Sequence, residues 1–385
     1  MTITQETQQI IRSLIEFDTT SDRSNLDLIS HVTDLIASSA DTLTLNHNED
    51  GTKANLVATI GPQNEKGGIV LAGHTDTVPV SGQSWSTDPY TLVEENGRLY
   101  GRGTCDMKAF CGLSIATFID TARNRKSDLR KPLSLVLTYD EEVGCFGAKK
   151  LVAEESSLFL NPDLVLIGEP TSLKPAIAHK GIRCFEIKTK GHSCHSSNPE
   201  KGVSAIQHSN SFVTTIFSLA EKLKQSGIKD TRFEPSYSTV NVGTINGGNA
   251  VNTVPDECII IFETRTVPGE NFDIRAALEA KFADAVRAAG GELLIDTNEY
   301  VTTQPFAGNP NHPGTQFLLK QLGSDSFIVA PFCTEASAFQ ESGLNTVVCG
   351  PGSIDQAHKP DEFIDIKQLK EGQELIKRLT QRCFN

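Results

Sequence analysis

Two kinds of apolar pattern alternate along the chain. Residues ~5–18 and ~25–39 place apolar side chains at every third or fourth position, the spacing of amphipathic helices. Unbroken apolar runs follow at Asn55–Ile60, Gly68–Ala72, Leu133–Thr138, Leu164–Ile167 and Thr346–Cys349. Such continuous runs predict strands of a sheet covered on both faces by helices. Met107–Arg123 and Gly147–Glu155 supply helices between them, and Pro313–Leu322 and Ile366–Gln381 supply two more. The order is that of an α/β fold.

The middle of the chain has a different character. Gly181–Lys190 alternates as a half-buried strand, Val203–Gln225 reads as a helix, and Thr239–Ile245 and Cys258–Thr266 read as strands. A second helix over Ile274–Ala289 and a last strand near Glu292–Thr297 complete a β-α-β-β-α-β order. The pattern predicts an α+β, ferredoxin-like domain at 182–295, inserted into a first domain made of 1–181 and 296–385.

Composition narrows the picture. A chain of 385 residues suits two domains, and 38% hydrophobic residues can fill their cores. No apolar run approaches the ~18 residues of a membrane span. The polar start MTITQETQQIIRSL lacks the form of a secretory signal, so a cytoplasmic location is expected. Nine cysteines without a C-x-x-C pair suit buried thiols rather than a disulfide framework. A net charge of −13 excludes nucleic acid as the natural partner and mildly favours cationic substrates.

The candidate chemistry sits where the apolar runs end. Gly68–Ala72 leads into Gly73-His74-Thr75-Asp76, Leu133–Tyr139 into Asp140-Glu141-Glu142, and Leu164–Ile167 into Gly168-Glu169. Thr346–Cys349 leads towards His358 through a Gly-Pro-Gly turn. Functional crevices of open α/β sheets lie beyond the carboxyl ends of the strands, so four strand ends deliver two histidines and several carboxylates to one edge. Imidazole and carboxylate donors without cysteine pairs suit Zn²⁺, Co²⁺ or Mn²⁺. Asp76, two residues after His74, is placed to receive the second ring N–H of a metal-bound histidine. Asp106 follows a glycine-rich turn at the start of a helix. From the local pattern it either caps that helix or bridges two metals.

GHTDTVP, YGRGTCDMKA, TYDEEVG, IGEPTSL, GHSCHSS and GPGSIDQAHKPDE occur in this order along the chain. Together they resemble the co-catalytic zinc aminoacylases and metallopeptidases, a likeness that runs from about Ile10 to the C-terminus. The resemblance implies a mixed-sheet di-metal hydrolase domain carrying an inserted dimerisation or lid domain. It implies that His74 and Glu169 hold one metal, that Glu142 and His358 hold the other, and that Asp106 bridges them. It gives Asp76 the task of orienting His74 and Glu141 that of general base. His195 corresponds to a histidine that reaches a neighbouring subunit's active site, so a homodimer is implied; His192 is extra to that pattern.

The substrate implied is a small N-acyl amino acid, and the cofactors are two divalent ions, Zn²⁺ first and Co²⁺ second. Lys180, Asn252 in its glycine-rich turn, and Arg265 at a strand end are candidates for reading the substrate's carboxylate or acyl carbonyl. Glu335, in PFCTEA, is a candidate for attracting a cationic side chain. The competing hydrolase reading is a larger or acidic acyl group, as in a desuccinylase or dipeptidase. A metal-binding module without catalysis would require a missing base or ligand, and every motif position is present.

Overall fold

The computed structural model describes residues 3–385, which divide into two compact units. One comprises the described residues up to Ala178 together with Phe306–Asn385, and the other is His179–Pro305. The second unit is wider than the 182–295 expected, partly because its last strand, Leu294–Thr303, continues well past Thr297.

The first unit is built on a six-stranded sheet. Its order is Thr42–His47, Ala54–Ile60, Leu133–Thr138, Ile69–His74, Leu164–Pro170 and Thr346–Gly350. The last four strands are mutually parallel, whereas Ala54–Ile60 runs antiparallel to both its neighbours. The alternation of side chains across a strand explains the unbroken apolar runs. Ile69 and Leu71 face a core with Leu133, Leu135, Leu164 and Leu166, against the helices Gln5–Ile15, Lys108–Arg125 and Ile366–Thr380. Val70, Ala72, Val136, Val165 and Ile167 face a second core with the helices Phe146–Glu154 and Ala336–Glu341.

Two features escaped the apolar pattern. The edge strand Thr42–His47 is largely exposed and polar. A small sheet joins Val93–Glu95, Arg98–Tyr100 and Phe363–Asp365. Its hairpin turns on Asn96 and Gly97, at φ +53° and +76°, the left-handed pair that a tight two-residue loop requires. This sheet ties the turn before Asp106 to the segment after His358.

The second unit has the β-α-β-β-α-β order with an antiparallel sheet arranged Thr239–Gly247, Glu257–Thr266, Gly181–Lys190, Leu294–Thr303. The helices Ala205–Ser226 and Ile274–Ala288 contribute Phe212, Ile216, Ile274 and Leu278 to its core. Phe185 and Phe262 stack within that core, their ring centroids 4.8 Å apart.

Candidate metal centre

The parallel strands end at one edge of the sheet, and each end carries a polar group. His74 closes its strand fully buried. Its Nδ1 lies 3.0 Å from the main-chain oxygen of Asp76 and 3.6 Å from Asp76 Oδ1. A carbonyl can only accept, so Nδ1 carries the proton and the Nε2 lone pair faces outward. Asp76 thus meets the His74 ring chiefly through its carbonyl. Its carboxylate accepts instead from the main-chain N–H groups of Glu141 at 3.0 Å and Glu142 at 3.2 Å, and from Ser21 Oγ at 2.7 Å.

Nε2 of His74 points at Asp106 Oδ1, 3.0 Å away, and lies 3.7 Å from Glu169 Oε1. Oδ2 of Asp106 lies 3.4 Å from Nε2 of His358, which is 3.0 Å from Glu142 Oε2. Asp106 thus presents one oxygen to each histidine. Among the described residues, the helix Lys108–Arg125 begins at Met107 without a side-chain cap, so Asp106 is not used as its cap. The Asp106–Met107 peptide is cis, and His358 is held in the left-handed region at φ +63°. A residue other than glycine uncommonly takes the left-handed conformation that His358 adopts, and such residues collect at functional sites.

Ligand atoms of His74, Asp106 and Glu142 lie within 4.8 Å of one another, as do those of His74, Glu141 and Glu169. Lone pairs facing carboxylates at these distances repel unless a cation lies between them. Charge within the cluster shows the same conflict. Burial, together with the neighbouring carboxylates, pushes Glu141 and Glu169 well above the ordinary carboxylate range and Glu142 up to about 7. Burial would also raise Asp106, but its hydrogen bonds with His358 and His74 hold it below the usual range. Those with Asp106 and Glu142 lift His358 to about 10. Burial opposes a charge on His74, yet Asp106, Asp76 and Glu169 raise it well above its ordinary value. Glu169 Oε1 is buried and, among the described residues, has no hydrogen-bond partner. Oxygen and imidazole donors, a central carboxylate open on both sides, and an orphaned carboxylate oxygen fit two divalent ions.

Two residues that the sequence reading did not single out hold Asp106 in place. Glu362 is buried and accepts main-chain N–H groups from Gly103 at 3.1 Å, Cys105 at 2.8 Å and Asp106 at 3.0 Å. Arg102, also buried, pairs with it at 2.7 Å and donates to Gln83 Oε1 at 2.7 Å. Gln83 in turn donates to the carbonyl of His358 at 3.0 Å. The available signal was a charged residue inside each of two motifs already recognised, YGRGTCD and HKPDE.

The remaining predicted site residues have other surroundings. Glu335 is sealed in the core of the first unit, with Oε2 accepting from Thr138 Oγ1 at 2.6 Å. That burial is at variance with a surface contact to a substrate's ammonium group. Burial also pushes Glu335 up to about 7. In the second unit, the Lys180 ammonium donates to the carbonyls of Pro235 and Tyr237, both at 2.7 Å, and so ties down that loop. Arg265 pairs with Glu263 at 3.1 Å. The fold of this unit brings His195 and Asn252 together: Ser196 N–H donates to the Asn252 carbonyl at 3.0 Å, and His195 bridges to Thr253. Ser197 N–H donates to His195 Nδ1 at 3.2 Å, which leaves the ring proton on exposed Nε2. His192 exchanges main-chain hydrogen bonds with Val203.

This edge of donors, with Glu141 beside it, is what a metal-dependent amidohydrolase requires, and comparison with known proteins gives the same class. The chain belongs to peptidase family M20/M25/M40, which it matches over residues 70–382. It is 39% identical to an acetylornithine deacetylase of Proteus mirabilis over 86% of this chain and 82% of that protein. An acetylornithine deacetylase of Erwinia tasmaniensis is 40% identical over 84% of this chain and 82% of its own. The fold is similar to that of an M20 family metallo-carboxypeptidase from Sulfolobus solfataricus, with a TM-score of 0.75 at 17% identity, covering 99% of this chain and 100% of that one. Among the described residues, no helix is long and apolar enough to cross a membrane.

Proposed function

We propose that the protein hydrolyses N²-acetyl-L-ornithine to L-ornithine and acetate, a step of arginine biosynthesis, as a cytoplasmic homodimer with two Zn²⁺ ions per chain, replaceable by Co²⁺. The observation that carries the chemistry is Asp106, facing both histidines, with Glu141 close to His74 and Glu169. The substrate rests on the likeness to the two deacetylases.

His74, Glu169 and Asp106 would hold one ion, and Asp106, Glu142 and His358 the other. When bound, the ions polarise the scissile carbonyl and make the attacking water more acidic. Glu141 takes the proton of that water and returns it to the departing amine. Burial, with the neighbouring carboxylates adding to it, raises its proton affinity, which suits both transfers. His195, with its proton on Nε2, is equipped to donate to the oxyanion of a partner subunit's substrate. Asn252 beside it is a second candidate donor. Lys180 and Arg265 would have to leave their present partners to meet a substrate carboxylate.

The test is a comparison of kcat/KM for N-acetyl-ornithine, N-succinyl-diaminopimelate and N-acetyl-methionine at equal metal loading. Acetylornithine is expected to lead. A lead of ~10-fold or more for the succinyl substrate, about 1.4 kcal/mol of transition-state binding, would replace this assignment with the desuccinylase reading.

A further inference from the structure

We propose that Ser21 is a positioning residue for the reaction: through the Asp76 carboxylate it fixes the turn that aims Glu141 and Glu142. The inference rests on reading Glu141 as the base and Glu142 as a metal ligand.

Asp76 Oδ1 accepts from Glu141 N–H at 3.0 Å, and Oδ2 accepts from Glu142 N–H at 3.2 Å. One carboxylate therefore grips two consecutive amides, and those amides set the directions in which the two glutamates leave the backbone. Rotation of an aspartate carboxylate about its last bond is soft and roughly two-fold. A third donor is needed to hold each oxygen opposite its amide. Ser21 supplies it, donating from Oγ to Oδ2 at 2.7 Å.

Ser21 is itself anchored. The segment Thr19–Ser21 lies along Thr75–Thr77, with Thr77 N–H donating to the Thr19 carbonyl and Ser21 N–H to the Thr77 carbonyl, both at 3.1 Å. Thr19 Oγ1 donates to the Thr75 carbonyl at 2.6 Å. Lys53 joins the arrangement from the other side, donating to the Ser21 carbonyl and to the carboxylate of Asp140, the residue before Glu141. Asp140 takes the left-handed conformation at φ +55°, where the strand turns into the glutamates. The N-terminal segment, remote in sequence from every ligand, thus reaches the base through one hydroxyl.

The experiment compares Ser21→Ala, Ser21→Thr and Lys53→Gln with the wild type, all full-length and loaded with Zn²⁺. It measures kcat, KM, the melting temperature and the chelator concentration that strips half of the zinc. Loss of a group that orients a site from behind typically costs 10–100-fold in activity or metal affinity. Ser21→Ala is expected to lose about 10-fold in kcat with KM within about twofold, and to release zinc at about 10-fold lower chelator. Ser21→Thr, which keeps the hydroxyl, is expected to recover most of both. Lys53→Gln, which loosens the same turn, is expected to lower kcat without shifting KM. Wild-type kcat and zinc retention in Ser21→Ala would overturn the proposal, as would equal impairment of the alanine and threonine variants. Should the wild type hydrolyse no N-acyl amino acid, the functional reading fails, and the chelator measurement still decides whether Ser21 holds the site.

Discussion

Glu362 receives the main-chain N–H of Asp106 at 3.0 Å while its other oxygen pairs with Arg102 at 2.7 Å. Both charged groups are buried, so the pair stands or falls together. Removing one partner of a buried pair leaves the other charge uncompensated, at a cost of about 3–5 kcal/mol. Glu362→Ala is therefore expected to lose about that much stability in urea unfolding, and to weaken both metals by releasing the turn that carries Asp106. A variant with wild-type stability and full metal content would show that the pair does not support the site.

Glu141 and Glu142 are adjacent in sequence but are given different tasks. Wild-type protein reconstituted with Zn²⁺ should approach two ions per chain by elemental analysis. Glu141→Ala is expected to keep both ions and its fold while losing ~10²–10⁴-fold in kcat, the usual weight of a general base. Glu142→Ala is expected to lose one ion. Similar metal loss in the two variants would mean that the roles have been wrongly divided.

Much of this site could be read from the chain because parallel strands ending at one sheet edge need no long-range information beyond their order. His74, Glu141, Glu142 and Glu169 each follow an apolar run directly, so their meeting follows from the fold class. Asp106 and His358 lie on loops that lead to the same edge, and for them the motif resemblance supplied the roles. What stayed hidden depends on side-chain contacts between distant segments. Glu362 meets Arg102 across the small sheet, and Ser21 meets Asp76 across a bridge of main-chain hydrogen bonds. Neither contact leaves a periodic trace. The burial of Glu335 left no trace either: nothing in PFCTEA shows that Thr138 and the surrounding core enclose the candidate for a cationic side chain.

Glu335 also gives the fold a pH dependence. Its proton affinity is raised from 4.5 to about 7 by burial, so the folded state binds a proton that the unfolded chain releases. The stability this confers is full below pH 4.5 and is lost as the pH rises through about 7. Glu335→Gln has nearly the same shape and no charge to bury. It is expected to melt above the wild type at about pH 8, by up to about 3 kcal/mol of stability, and to show no such gain at about pH 4. Equal differences at the two pH values would remove Glu335 as the source. KM for acetylornithine distinguishes a direct role: a buried, indirect Glu335 leaves it nearly unchanged, whereas a residue that attracts the substrate's ammonium raises it.

The last prediction concerns His195, whose Nε2–H is exposed and whose Nδ1 is occupied by Ser197. If it acts across a homodimer, a chain carrying His195→Ala still supplies a sound Glu141, and a chain carrying Glu141→Ala still supplies a sound His195. Each variant alone is expected to be nearly inactive. In a mixed dimer, one site combines the intact Glu141 with the partner's intact histidine, while the other site has both defects. Random exchange makes half of the dimers mixed, so about a quarter of all sites should recover. The measurement is acetate release after co-incubation under conditions where differently tagged chains are shown to exchange. Recovery near that fraction supports donation across the interface. With exchange demonstrated, no recovery would place His195 in its own chain's site, because each active site would then carry a defect that its partner cannot repair, whereas a fully active His195→Ala chain would place it outside the reaction.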